Sequence, residues 1–348
     1  MFRQQLTTPR RLAAFGVTGA LLLTACGSDV DGTTVPLDET DDPAEEATDD
    51  EDDAMSDEAM EDDDAMSDDD AMEDDAMAEG EIATLQFDGL PMLGEASVYE
   101  GWIIVDGEPV STGRFNATDD GTLVDDDGEP IDHAAISDVE ASAFVLTIEP
   151  LDDPDPAPSA IHLLGGDIVD GVADLTIDHP AAIGTDFLSA AGTVEVVAPT
   201  ADGAPGTETV GVWFFADGAG SLTLPELPEG WVYEGWAVFD GIPVTTGRFT
   251  DPNMADDFNG FSGDGSGPET PGEDFIRNAP EGLEFPRSAA GATVVISVEP
   301  ADDDSPAPFV LKPLTGEIPD PVERLTSHPL GNTGDETYPT GTVTIIDA

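Results

Sequence analysis

Cysteine is almost absent: Cys26 is the only one in 348 residues. It allows no intrachain disulfide framework and no multi-thiolate metal site, so stability must come from burial or from bound ions. Positive charge is as scarce, with nine Lys and Arg against 77 Asp and Glu and a net charge of -68. Such a chain is repelled by phosphate backbones and anionic headgroups, and no stretch clusters Lys or Arg, which excludes nucleic acid as a partner. After residue 26 no run of about 18 apolar residues occurs, so no later segment is expected to span a membrane. Helical periodicity is missing too, since no stretch after Gly80 sustains it for three turns.

The first 26 residues do carry an apolar run. Arg3, Arg10 and Arg11 precede Leu12 to Leu23, followed by Leu23-Thr24-Ala25-Cys26 and Gly27-Ser28. This order reads as a lipoprotein signal peptide with a lipobox, and it makes Cys26 the lipidation site. The mature chain is then expected outside the cytoplasm, held to the cell membrane through a lipid anchor. The alternative is an N-terminal helix with a buried thiol.

Residues 27–80 form the second segment. From Asp29 to Gly80 there are 26 Asp or Glu and no Lys or Arg, with Asp-Ala-Met at Met55, Met66, Met72 and Met77 and Glu-Ala-Met at Met60. Sparse apolar residues and like-charge repulsion leave the ordering entropy without compensation, so the expectation is a disordered acidic tether. A Met and Asp metal sink is the sharper alternative, without His to support it.

Residues 81–348 hold the remaining 51 acidic side chains against Arg114, Arg248, Arg277, Arg287, Lys312 and Arg324. This imbalance opposes compaction unless salt screens it, which points to a halophilic setting, with a generally acidic secreted protein as the alternative. The expected result is a melting temperature that falls as ionic strength drops from molar KCl to dilute buffer; an unchanged value would remove the inference.

The same region is internally repeated. Val98-Tyr-Glu-Gly-Trp102 returns as Val232-Tyr-Glu-Gly-Trp236, and Asp106-Gly107 with Pro109-Val110 returns as Asp240-Gly241 with Pro243-Val244. Thr112-Gly113-Arg114-Phe115 matches Thr246-Gly247-Arg248-Phe249 at a spacing of 134. Glu149-Pro150 before Pro-Ala-Pro158 matches Glu299-Pro300 before Pro-Ala-Pro308 at 150, and Asp178-His179-Pro180 with Gly192-Thr193-Val194 matches Ser327-His328-Pro329 with Gly341-Thr342-Val343 at 149. The difference is an insertion in the Gly-, Pro- and Asp-rich stretch from Asp251 to Pro286.

Short Val-, Ile-, Phe-, Trp- and Thr-rich runs between turn residues predict strands. Ser97 to Val105 and Glu108 to Phe115 flank Asp106-Gly107, a pair suited to a two-residue hairpin turn, and Asp240-Gly241 repeats it. Later strands are expected at Ala143 to Glu149, Gly192 to Val197, Thr209 to Phe215, Ala292 to Glu299 and Gly341 to Ile346. The reading is all-β, with two tandem β-sandwich domains over 81–200 and 206–348 whose cores hold Trp102, Trp213 and Trp236.

This order of motifs resembles the extracytoplasmic C-terminal domain of anti-sigma-K factors, twice over. The residues that carry it are the Tyr-Glu-Gly-Trp strand, the Asp-Gly turn, Pro-Val-x-Thr-Gly-Arg-Phe, the Glu-Pro strand and Pro-Ala-Pro. The resemblance implies a β-sandwich outside the membrane and no catalytic residue. Such regulators also carry a cytoplasmic zinc-binding anti-sigma bundle and a transmembrane helix; here a lipobox and an acidic tether stand in their place, so no direct contact with a cytoplasmic sigma factor is expected. An envelope protein partner, or a separate membrane-spanning anti-sigma partner, is expected instead.

No nucleophile elbow, phosphate loop or His pair at zinc spacing occurs, so the chain is read as non-enzymatic. His179 and His328 read as repeated turn architecture, while His133 and His162 lack counterparts. The only cofactor considered is Ca2+, on the acidic turns Asp152, Asp153, Asp155 and Asp302, Asp303, Asp304, with Asp125-Asp126-Asp127 also acidic; solvated turns are the alternative, and none fits an EF-hand loop. Arg114 and Arg248 are expected to pair with Glu149 and Glu299, or with another acidic group of their own repeat. The rival arrangement is an exposed arginine over a ring, Arg114 over Trp102.

Overall fold

The computed structural model describes residues 81–136, 140–334 and 338–347. The signal segment, Cys26 and the acidic linker lie outside the described residues. The first repeat supplies β1 (Glu81–Asp88), β2 (Ser97–Val105), β3 (Glu108–Ala117), β4 (Leu123–Val124), β5 (His133–Ile136), β6 (Ala141–Pro150), β7 (His162–Asp167), β8 (Val172–Leu175) and β9 (Gly192–Val196). The second supplies β10 (Gly211–Trp213), β11 (Phe215–Ala216), β12 (Ala219–Gly220), β13 (Trp231–Phe239), β14 (Ile242–Phe249), β15 (Gly272–Asp274), β16 (Thr293–Pro300), β17 (Leu314–Glu317), β18 (Ser327–Asn332) and β19 (Thr340–Asp347). The chain is all-β.

Each hairpin forms as its turn chemistry dictates. Asp106 and Gly107 have φ of 52° and 87°, and Asp240 and Gly241 have 52° and 84°, the two left-handed residues of a type I′ turn. β2 pairs with β3, and β13 with β14, in one register, each interrupted after the Gly of Tyr-Glu-Gly-Trp. That glycine is required by packing: a Cβ on Gly101 would lie 2.7 Å from the Phe144 ring, and one on Gly235 would lie 2.8 Å from Phe214. The indoles that follow are buried. Trp102 Nε1 donates to Thr147 Oγ1 at 2.9 Å, and Trp236 Nε1 donates to Ser297 Oγ at 2.8 Å.

The sheets are β4-β3-β2-β6-β7 and β5-β1-β19-β8 for the first repeat, and β14-β13-β16-β17-β18-β9-β10-β15 with the small hairpin β11-β12 for the second. Apart from β11-β12 and the exchanged β19, the strands of the second repeat therefore lie in one continuous sheet rather than two stacked ones, and it curls until its edge strands β14 and β15 come into contact. The order β5-β1-β19-β8 reproduces β15-β10-β9-β18 with the last strand of each repeat exchanged. β19 inserts between β1 and β8, with Val343 opposite Leu85 and Ala173, while β9 inserts between β10 and β18. The exchange preserves burial, since Val194 and Val343 are each no more than 1% exposed.

The ladders also correct one sequence match. Leu330 pairs with Gly192 as Leu175 pairs with Gly341, so His328 corresponds to Ala173 and not to His179. His328 lies in β18, whereas His179 lies in a turn. The two His-Pro pairs are thus similar in sequence and different in place.

Candidate functional site

Arg114 and Arg248 are built into their hairpins. Counting back from Asp106-Gly107 would set Glu100 opposite Gly113, but the irregularity at Gly101/Trp102 moves it opposite Arg114, and Glu234 falls opposite Arg248 in the same way. The side chains meet across the strands: Arg114 Nε donates to Glu100 Oε2 at 3.0 Å and Arg248 Nε to Glu234 Oε2 at 2.9 Å. The other carboxylate oxygen accepts from Ser111 Oγ or Thr245 Oγ1, each at 2.5 Å. Burial holds the Glu234 carboxyl above its usual range despite the arginine.

The remaining guanidinium nitrogens grip the turn after the Glu-Pro strand. Arg114 donates to Leu151 O at 3.1 Å and Pro150 O at 3.3 Å; Arg248 donates to Ala301 O at 3.4 Å and to Asp303 O. Neither arginine is brought to Glu149 or Glu299, because β2 or β13 lies between them and supplies a nearer carboxylate. Glu149 and Glu299, each 1% exposed, hold the far end of the same loop instead. Both oxygens of Glu149 accept from the Ser159 N–H at 2.9 and 3.0 Å, and both of Glu299 from the Phe309 N–H at 2.9 and 3.1 Å. Ser297 Oγ also donates to Glu299, and burial pushes the Glu299 carboxyl up to about 7.

The second-repeat loop so pinned lines a groove of about 440 Å³ where the two repeats meet. Leu93 and Ile148 of the first repeat face Pro306 and Phe309 of the second, and Asp302 and Asp304 lie at the rim. A shallower depression of about 470 Å³, lined by Pro150, Ile161, Gly230 and Asp302, lies where the reciprocal parts of the repeats meet. The groove offers apolar contact with acidic edges, which suits a ligand both apolar and cationic. Replacing Arg248 with Met is expected to cost about 2 kcal/mol at neutral pH, because the buried Glu234 loses its partner. Chemical denaturation checks this; a loss under about 0.5 kcal/mol would make the pair an ordinary surface contact.

The acidic turns serve their own backbone. Asp153 Oδ1 accepts from the Asp155 N–H at 2.8 Å, Asp303 Oδ1 accepts from the Ser305 N–H at 2.9 Å, and Asp125 Oδ1 caps the Asp127 and Glu129 N–H groups. Asp152 and Asp302 are exposed. Among the described residues no group of three or more His, Cys, Asp or Glu is placed to hold a metal ion. The histidines are spread out: His133 lies against Asp132 at 2.8 Å, His162 against Ala181 O at 2.9 Å and His179 against Asp167 at 3.4 Å.

A second acidic centre lies in the insertion and escaped the sequence reading. Glu273 and Asp274 are fully buried. Asp274 accepts from Trp213 Nε1 at 2.7 Å and from the Thr200 N–H at 2.8 Å, while Ser262 Oγ donates to Glu273. Burial pushes Glu273 up to about 7 and Asp256, which accepts from the Gly272 N–H at 2.7 Å, up to about 6. The signal available was the one Glu-Asp pair after residue 80, next to an apolar flank, Gly272-Glu273-Asp274-Phe275-Ile276.

Residues 12–162 match the family model described as anti-sigma-K factor rskA, C-terminal. The match opens at the first residue of the apolar run and closes at the first residue of β7, so it holds the first Tyr-Glu-Gly-Trp strand, its hairpin and its Glu-Pro strand. The first part of the chain is thus similar to a component of a regulatory, non-enzymatic class associated with sigma factors and membranes. No curated protein and no solved structure matches the chain. Among the described residues no helix is long and apolar enough to cross a membrane.

Proposed function

We propose that the chain is a non-enzymatic extracytoplasmic lipoprotein, anchored through Cys26, whose two repeats form a binding or sensing module resembling the outer domain of anti-sigma-K factors. The observation that supports it best is the groove between the repeats. Its second-repeat wall is fixed at both ends by motif residues, Arg248 at Asp303 and Glu299 at Phe309, so the signature side chains shape a surface.

The experiment is capture of partners from membranes in molar KCl, with Ala307→Trp to fill the groove from an exposed position. Loss of the captured partner in Ala307→Trp is the expected result, and undiminished capture counts against the groove. Cys26→Ala in the same membranes is expected to release the chain on carbonate washing; full retention would remove the lipid anchor.

The family match favours a second reading, a regulatory component of a sigma-factor system acting through a separate membrane-spanning partner. A captured protein with both a transmembrane helix and a cytoplasmic sigma-binding part would favour it over a stand-alone surface role.

A further inference from the structure

The two repeats differ most where the insertion lies, and the second shows what covers a surface that the first leaves open. In the second repeat Met254-Ala255-Asp256-Asp257 lies along the outer edge of β14. The Arg248 N–H donates to Asp257 Oδ1 at 2.8 Å, and the Asp257 N–H donates back to Arg248 O at 3.0 Å. Asp256 occupies the space where a side chain on Gly247 would stand, and Gly247 is buried.

The first repeat has the same edge without the cover. Gly113 and Gly247 share φ values of 111° and 113°, and the register Glu100 opposite Arg114 repeats Glu234 opposite Arg248. The Arg114 N–H and C=O therefore point away from β2, as those of Arg248 point away from β13. Yet a Cβ built on Gly113 meets no described atom within 4 Å, Gly113 is exposed, and Val110 is 46% exposed where Val244 is 2%. β4 takes up the edge only at Asn116 and Ala117.

The geometry points to an occupant within the chain: Met72-Glu73-Asp74-Asp75, before β1, docks on the β3 edge at Gly113 and Arg114, as Met254-Ala255-Asp256-Asp257 docks at Gly247 and Arg248. Both segments read Met-x-Asp-Asp. The reach of the first one fits. The six residues from Asp75 to Glu81 extend up to about 20 Å, the same length as β1 back from Glu81 to Phe87. Phe87 stacks on Phe115, two residues from Gly113, with ring centroids 5.7 Å apart. The docked carboxylate accepts from the Arg114 N–H and its neighbouring amide donates to Arg114 O, a short length of edge pairing that also covers an open strand edge. This inference is independent of the partner proposed for the groove.

Residue-resolved amide hydrogen exchange on the full chain in molar KCl tests it, with Asp74 and Asp75 both replaced by Ala, which removes the side-chain acceptors. These positions lie outside every described strand. The Arg114 amide is expected to exchange about tenfold faster in the substituted chain, as for loss of one or two hydrogen bonds, while the Arg248 amide stays as slow as before. The native protection should not depend on protein concentration. An Arg114 amide that exchanges equally fast in both chains, or protection that rises with concentration, overturns the proposal.

Discussion

Val343→Asp is expected to unfold the sheet of the first repeat, although Val343 belongs by sequence to the second. The side chain is fully buried in β19 between Leu85 of β1 and Ala173 of β8, and an unpaired carboxylate there costs about 4 kcal/mol or more. Amide exchange should show β1 and β8 losing protection before β13 and β16. Val194→Asp is the mirror experiment, since Val194 lies in β9 opposite His328 of β18; it should release β18 and β10 and spare β1. If each substitution damages only the repeat in which its residue lies by sequence, the strand exchange is wrong.

The second large effect concerns pH. Burial raises Glu299 from 4.5 to about 7, with the charges of Glu234 and Asp303 adding to it. The folded state then holds a proton that the unfolded chain has already lost, so stability is highest below about 4.5 and falls as pH rises through about 7. For this one group the fall amounts to at most about 3 kcal/mol. Glu273, also raised to about 7, and Asp256, raised to about 6, add slopes of the same sign. The melting temperature is expected to drop between pH 5 and pH 8. Glu299→Gln keeps an oxygen to accept from the Phe309 N–H and removes the charge, so it should melt above the native chain at pH 8 and close to it at pH 5. Identical pH slopes for the two chains would show that Glu299 contributes nothing.

The strands and their turns were legible in the sequence because they rest on local chemistry. Asp106-Gly107 and Asp240-Gly241 specify their turns outright, and alternation placed β2, β3, β6 and β16 within a few residues. The shape of the sheets was not legible. Gly192-Thr193-Val194 and Gly341-Thr342-Val343 are nearly the same, so either could complete either repeat, and only three-dimensional pairing decides that they trade places. β1 was missed altogether, since its Ile82-Ala-Thr-Leu-Gln-Phe alternation follows directly on the acidic segment.

At the candidate site the arginines could be singled out because cations are rare in this chain. Their partners could not, because turn counting leads to Gly113 and a single extra residue at Thr112 shifts the register to Glu100. Glu149 and Glu299 were recognised as repeated, but the backbone N–H groups of Ser159 and Phe309 that hold them are invisible to any pattern of side chains. The groove is a product of the fold alone, formed by the segment before β2 of the first repeat and the non-equivalent loop after β16 of the second.

The traded strands also set the order in which the molecule can be completed. Synthesis runs from the N-terminus at roughly 5 to 20 residues per second, and the gap in the first repeat between β1 and β8 is filled only by β19, whose last described residue is Asp347. The first half of the chain must therefore wait, on the order of ten seconds or more, with two strand edges open to any other strand of the same pattern. The nearest candidate is β9 of the same repeat, whose sequence suits the gap as well. A chain that lacks β19 is thus able to close on itself in a form that the whole one must undo, and the eight residues of β19 act as the latch that commits both halves at once.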